Sequence, residues 1–512
     1  MARRAAAVVS LLMLAGCAGT QPAVSKDTLV WATSLPVHTL DIAHGFDVST
    51  AAQFSVLEGP VTLDKSGQVV PALAESWTET EPGVYDFRLR KGVTFSDGSP
   101  VTADDVAYSL ERHTDPEVAS EAASYVALVK SVKATGPDGV RVTLSQPNTA
   151  FLATAALAWQ VVPRKLAEAH PKDLGNPEVG TLGTGPFKVA RFSLTDGVTL
   201  VRNDRYWGTK PELAKVEFKT ITNPEALRLA IKQGSVDGTA DLSLRDARKW
   251  AGIPGVKTGF YASDQIAFLS LDVTDKYLKD VHVRRAIAYA LDKEALVKLG
   301  TSGHGTPADA LLTGPQITTQ YGDKGSPVTR TYPHDLAKAK AELAQSAYPD
   351  GFALSLPYAS GGEGTLIMQA IAADLAKIGI RITIDNMPAD AYRARSMDHD
   401  RMGIQLHTLG YGTPDPAEVL PDLLTRASAK PQGWNFAMYA SAGLDATLDK
   451  ISSMSGEARL PLVTKVLNEV ADQVPYVPLY YPDQGYALSD RFTAELNAWT
   501  LNVFSAIRPV GR

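Results

Sequence analysis

The sequence predicts an α/β protein of more than one domain, on three observations. Its 512 residues exceed the roughly 100 to 200 of one ordinary domain. Between Phe352 and Ile384, a strand pattern, a helix pattern and a second strand pattern follow one another. Between Trp77 and Arg112, an alternating strand leads through two turns into a capped helix.

In the stretch from Trp77, Tyr85, Phe87 and Leu89 alternate with Asp86, Arg88 and Arg90, the period of two that places alternate side chains on one buried face. Lys91-Gly92 turns the chain. A second turn falls at Ser96-Asp97-Gly98-Ser99, where aspartate bonds its own backbone and glycine accepts a positive φ. Thr102 then caps a helix with Asp105 three residues on, and Val106 and Leu110 share a face. In the later unit Phe352, Leu354 and Leu356 alternate, and Ile367, Ile371, Leu375 and Ile378 line a helix face. Gly379 caps that helix, and Ile380, Ile382 and Ile384 alternate again. Two strands joined through a helix should run parallel.

Other elements are shorter. Leu29 to Ala32 predicts a strand, with a loop from Thr33 to Asp47 at its end, and Leu227 to Gly234 predicts a helix. A strand from Ile266 to Leu271 precedes a helix from Val281 to Leu291, on which Val283, Ile287 and Leu291 share a face. Asp292 caps the next helix and Gly300 ends it. Ser302 to Pro333, rich in Gly, Pro and Thr, reads as a long loop.

Composition narrows the function. The chain has 50 Lys and Arg against 56 Asp and Glu, a formal charge of −6, and no basic cluster. That disfavours nucleic acid, whose binding rests on cationic side chains neutralising phosphates. Met1 to Gly16 has basic Arg3-Arg4, an apolar run and small residues before Cys17, the features of a secretory signal. Leu14-Ala15-Gly16-Cys17 resembles a bacterial lipobox, and Cys17, the single cysteine, is the expected lipid attachment site. Residues 1–16 are then a signal peptide and 17–27 a tether holding the protein outside the cytoplasmic membrane. No later apolar run reaches the about 18 residues of a spanning helix.

The wording of the Trp77 stretch is more specific than its physics. Trp77, Phe87-Arg88-Leu89-Arg90-Lys91-Gly92-Val93, Phe95, Asp97-Gly98 and Pro100-Val101-Thr102-Ala103-Asp104-Asp105-Val106 resemble the signature of the family 5 extracytoplasmic solute-binding proteins, the peptide- and nickel-type receptors of ABC importers. Gly183-Thr184-Gly185-Pro186-Phe187, Arg202 to Trp207 and Arg284 to Lys293 match the same family. The resemblance implies a two-lobed periplasmic-binding-protein-like fold, the type II large class with an extra domain and a hinge between lobes. It divides the chain into lobe I (28–58, 180–265 and 480–512), an extra domain on lobe I (59–179) and lobe II (266–479). It implies a monomer that captures a solute, a peptide foremost, and delivers it to a membrane permease with ATPase subunits. An oligosaccharide or a nickel chelate is the alternative solute.

The family also places ligand contacts. Ser34 and Phe46 lie in the loop after the first strand, where loop packing explains them more readily than ligand contact. In open α/β sheets ligands bind beyond the carboxyl ends of strands, which brings in Tyr358, Ser360 and Gly361. Backbone N–H groups there could meet an anionic group, although a helix entry also favours small residues. Gly410 to Pro416 resembles the family's Asp-Pro turn, and Tyr411, Gly412 and Asp415 belong to it. Many peptide-binding members carry an aspartate at the position of Gly412 to pair the peptide amine, and dipeptide-type members an arginine at the position of Tyr358. Both charged anchors are missing, and a terminus buried without a partner costs several kcal/mol. Asp415 is the replacement candidate for the amine. With Trp434, Tyr480 and Tyr481 the candidates form an aromatic set suited to a large, partly apolar ligand, though core packing explains each one singly.

Enzyme signatures are absent. There is no Gly-x-Ser-x-Gly, His-Glu-x-x-His, P-loop or Gly-x-Gly-x-x-Gly motif. Asp398-His399-Asp400 with His407 is the one metal-like grouping, of a kind usually solvated in a polar loop. No cofactor, resident metal or catalytic residue is expected. A secreted cleft hydrolase, with a carboxylate pair that sequence alone does not reveal, is the rival of a different class.

Overall fold

The computed structural model describes residues 26–46, 49–322, 325–360, 363–454 and 456–511. The signal peptide, Cys17, most of the tether and Gly361 lie outside the described residues. Strand β1 (Thr28–Thr33) shows how the first core forms. Its Leu29 and Trp31 enter one hydrophobic cluster and its Val30 and Ala32 another, so both faces of the strand are covered.

Four later strands form a separate antiparallel sheet. They are β2 (Ala74–Glu81), β3 (Val84–Leu89), β4 (Val129–Ala134) and β5 (Gly139–Leu144), in the order β2-β3-β5-β4. Helices α1 (Ala103–Glu111) and α2 (Phe151–Ala158) share its core. Tyr85, Phe87 and Leu89 are buried there, as the alternation predicts. Phe87 meets Trp159 edge-on at 5.1 Å, and the indole N–H of Trp159 donates to Val106 O at 2.8 Å. The Thr102–Asp105 capping box is made in full, and Gly98 turns with φ +95°.

The chain then returns to the first sheet through β6 (Phe187–Ser193), β7 (Gly197–Arg202), β8 (Lys215–Thr220), β9 (Gly238–Thr239) and β10 (Val256–Ala262). Strand β1 pairs in parallel with β8 and β9. Two residues after β10 ends, β11 (Gln265–Leu271) opens the second half, with Ala267, Leu269 and Leu271 on one core and Ile266 and Phe268 on another. Helices α3 (Val281–Ala290) and α4 (Lys293–Thr301) follow, and Asp292 caps α4 by accepting from the Ala295 N–H at 2.9 Å.

Two expectations need correction here. Gly300 does not end α4: the left-handed residue is Ser302, followed by Gly303. Gly300 is small for packing, since a Cβ there would lie 3.0 Å from the Tyr480 hydroxyl and 3.1 Å from Ile367 Cδ1. Residues 302–333 are not one long loop either. They hold β12 (Gly305–Pro307) and α5 (Gly314–Tyr321), whose Thr313–Gln316 capping box and Pro315 start a regular helix.

The unit from Phe352 is as the pattern predicts. Strands β13 (Phe352–Ala359) and β14 (Ile380–Met387) are parallel, with α6 (Glu363–Ala376) between them and Gly379 at φ +91°. Strand β15 (Ile404–Gly410) flanks β11, and β16 (Tyr476–Ser489) closes the pattern. The ten-stranded sheet runs β15-β11-β16-β9-β1-β8-β7-β6, with β10 and β12 also on β16.

Strand β16 organises the molecule. Tyr476 to Tyr480 pair with β11 in the second half, and Asp483 to Ser489 pair with β10 in the first. The chain therefore crosses between halves twice in adjacent strands, at Ser263-Asp264 and at Tyr481-Pro482. Ser263 Oγ, buried, donates to Pro482 O at 2.6 Å and ties the crossings together.

Candidate functional site

A cavity of about 660 Å³ opens between the small antiparallel sheet domain and the second half. Tyr125, Asn148, Phe151 and Thr154 form one wall, and Thr408 to Tyr411, Glu418, Asp422 and Trp434 the other. Helix α7 (Pro416–Leu424) supplies most of the second wall's charge. Pro416 fits its first turn, and Asp415 caps it by accepting from the Ala417 N–H at 2.8 Å. Val419, Leu420, Leu423 and Leu424 go into the core, which turns Glu418 and Asp422, four residues apart, toward the cleft.

The electrostatics are one-sided. Among the described residues the cavity wall contains no Lys, Arg or His. Glu418 accepts from both the N–H and the hydroxyl of Thr413, yet burial pushes its carboxyl up to about 7. Asp264, at the crossing beside Gly410, is pushed up to about 6 by burial, and Asp422 to about 6 as well. Asp422 is itself exposed to water, so the cleft walls desolvate only part of its carboxyl. Tyr411 is 8% exposed, and its hydroxyl is buried without a hydrogen-bond partner.

The structure gathers some of the expected residues and disperses others. Tyr411 and Trp434 line the cavity, with Trp434 46% exposed and edge-on to Phe436 at 5.9 Å. Phe46 packs at 5.0 Å against Tyr125 of the opposite wall, with the two rings tilted. Gly412 faces Leu157 of α2, whose Cδ1 would sit 2.5 Å from an added Cβ, so glycine there admits a close approach of the two walls. The Ser34 N–H donates to the Asp241 carboxylate in the first half.

Several candidates have structural duties instead. Asp415, besides its cap, is ion-paired at 2.9 Å to buried Arg459, which also donates to Thr149 Oγ1 at 2.6 Å, so its charge is already neutralised. Tyr481 donates to Ala310 O at 3.0 Å, and Tyr480 is buried in the core of the second half. Tyr358 packs on Tyr392 at 5.4 Å, and the Ser360 hydroxyl donates to Met387 O at 3.0 Å. His407, stacked on Phe436 at 4.2 Å, bonds Ser270 Oγ, whereas His399 bonds Gly433 O. Among the described residues no group of His, Cys, Asp and Glu is arranged to hold a metal ion.

Asp264, Glu418, Asp422, Tyr125 and Phe151 were not anticipated. The spacing of Glu418 and Asp422 just after the Asp415-Pro416 helix start was visible in the sequence. Tyr125 had no such signal, because it reaches the cleft from another domain. No helix among the described residues is long and apolar enough to cross a membrane.

Comparison with known proteins agrees with this architecture. The chain is 27% identical over 482 residues to the glutathione-binding protein GsiB of Salmonella paratyphi A, covering 92% of each. It is similar to the ABC transporter-associated periplasmic binding protein DppA from Helicobacter pylori in complex with the peptide STSA, with a TM-score of 0.77 and 26% identity over 94% of this chain and 98% of that one. The ABC transporter substrate-binding protein CtaP of Listeria monocytogenes shares the fold, with a TM-score of 0.83 and 23% identity over 94% and 99%. The fold is thus the two-lobed α/β fold of periplasmic binding proteins. The family model of the bacterial extracellular solute-binding proteins, family 5, middle region, matches residues 68–430, and the chain belongs to that family.

Proposed function

We propose that this protein is the substrate-binding receptor of an ABC importer, taking up an extracytoplasmic solute, a peptide foremost, in the cleft between its halves. The observation that carries the reading is the pair of adjacent strand crossings at Ser263 and Pro482, with an open cavity beside them. Two short crossings absorb a rotation with few dihedral changes, the basis of hinge closure. A solute that touches both walls binds the closed form better and shifts the population toward it. Closed protein then docks on the permease, whose ATPase subunits supply the energy, and the receptor itself catalyses nothing.

Lobe I is taken as 28–58, 180–265 and 480–512, the extra domain as 59–179 and lobe II as 266–479. The protein acts as a monomer, and Cys17, when lipidated, anchors it to the outer side of the cytoplasmic membrane. The peptide reading draws on the ligands named for GsiB and DppA. A thermal-shift screen over peptides, oligosaccharides and metal chelates tests it. Saturable shifts by peptides with unchanged solute recovered are expected; conversion of the solute to product would show a hydrolase instead.

A further inference from the structure

We propose that the cleft selects solutes bearing a positively charged group, an ammonium or guanidinium, held by the carboxylates of Glu418 and Asp422 on the wall that Tyr411 shares, with the Asp264 carboxylate adding negative charge from beside Gly410. This rests on the receptor reading above and narrows its ligand. Three observations carry it.

The first is charge sign. Glu418 and Asp422 stand on the cavity wall, which carries no cationic side chain among the described residues. The Asp264 carboxylate is not on the wall and lies 3.9 Å from the position of a Cβ on wall residue Gly410. Two other buried acids are paired with arginines, Asp41 with Arg112 at 2.7 Å and Asp415 with Arg459 at 2.9 Å, while Glu58 accepts from the neutral donors Thr184, Tyr206 and Trp207. The raised carboxyls of Glu418 and Asp264 are what burial without a countercharge produces. A bound cation supplies that countercharge.

The second is an orphaned group. Tyr411 lines the cavity and its hydroxyl is buried with no partner, although a buried hydroxyl ordinarily has one. An N–H donor of a bound solute would satisfy it. The third is the aromatic lining of Tyr125, Phe151 and Trp434, whose faces attract cations. An acidic solute such as glutathione would enter this cleft against its own charge.

The test uses the full chain and four probes: an N-acetylated tripeptide amide with a central lysine, its Nε-acetylated neutral form, its glutamate counterpart, and glutathione. Binding is followed by tryptophan fluorescence and calorimetry. The lysine probe should saturate the cleft and bind at least ~10-fold more tightly than the neutral form. The glutamate probe and glutathione should be weaker still. Asp422→Asn alone, at a water-accessible position, and the Glu418→Gln/Asp422→Asn double variant should bring the lysine-to-neutral ratio toward one. The inference is overturned if the neutral or acidic probes bind as tightly as the lysine probe, if the lysine probe does not saturate, or if Asp422→Asn leaves the ratio intact. The receptor reading fails separately, if any probe is recovered chemically altered.

Discussion

Ser263 and Pro482 meet where the two crossing strands run side by side, the serine hydroxyl donating to the proline carbonyl at 2.6 Å. Proline lacks a backbone donor, so Pro482 offers only its carbonyl here, and the Ser263 hydroxyl donates to it. The two halves are thus joined locally by a side-chain bond where rotation between them would be concentrated.

Replacing Ser263 by alanine leaves the Pro482 carbonyl buried without this donor. Stability should fall by about 1 to 2 kcal/mol in urea denaturation. An unchanged midpoint would mean that water substitutes for the hydroxyl.

The unpaired cleft acids give a pH signature. Burial pushes Glu418 up to about 7 and Asp264 up to about 6. An acid with a raised folded pKa holds its proton longer when folded. Its contribution to stability is therefore full below the unfolded value near 4 and is lost as pH rises toward 7. His113 and His407, pushed down to about 4 and about 3 by burial, act oppositely and lose their contribution as pH falls below about 6.5. The difference between Glu418→Gln and wild type removes the histidines from the comparison. That variant should be more stable by about 1 to 3 kcal/mol at pH values above 7, with the gap closing toward pH 5. Asp264, Asp415 and Tyr411 remain around it in both proteins. A gap that widens on acidification would contradict the assignment.

The buried pair Arg112–Asp41 behaves differently. Burial alone would raise the Asp41 carboxyl, but bonds from Arg112 at 2.8 and 2.7 Å and from His44 hold it well below the usual carboxylate range. Arg112→Met strands that charge and should cost about 3 to 5 kcal/mol. Adding Asp41→Asn should recover part of the loss in a double-mutant cycle; no recovery would show that packing, not charge, is what Arg112 provides.

Gly412→Asp tests whether an acid at this turn restores a family-type amine anchor. Leu157 occupies the space of the new Cβ, so the substitution should push the two walls apart and lower stability by about 1 to 3 kcal/mol. Calorimetry should show no gain in affinity for a peptide with a free amine, and a clear gain would overturn this reading of the glycine.

Local order was legible where one segment carried its own signal. The alternation of Tyr85, Phe87 and Leu89, the Thr102–Asp105 box and the isoleucine pattern around Gly379 are formed by neighbours in sequence. Strand β12 was not legible, because three residues become a strand only through pairing with β16. Gly300 looked like a helix stop until Tyr480 and Ile367 showed what it packs against. The cleft was half legible. Tyr411 and Trp434 stand out as aromatics near a loop, whereas Tyr125, Asp264 and Glu418 meet only after the chain has crossed into the second half at Ser263-Asp264.

The most direct test is small-angle X-ray scattering of the full chain with and without a saturating peptide. A hinged receptor predicts a smaller radius of gyration on binding, reversed when the peptide is removed unchanged. Saturable binding with an identical scattering curve would contradict hinge closure over the solute.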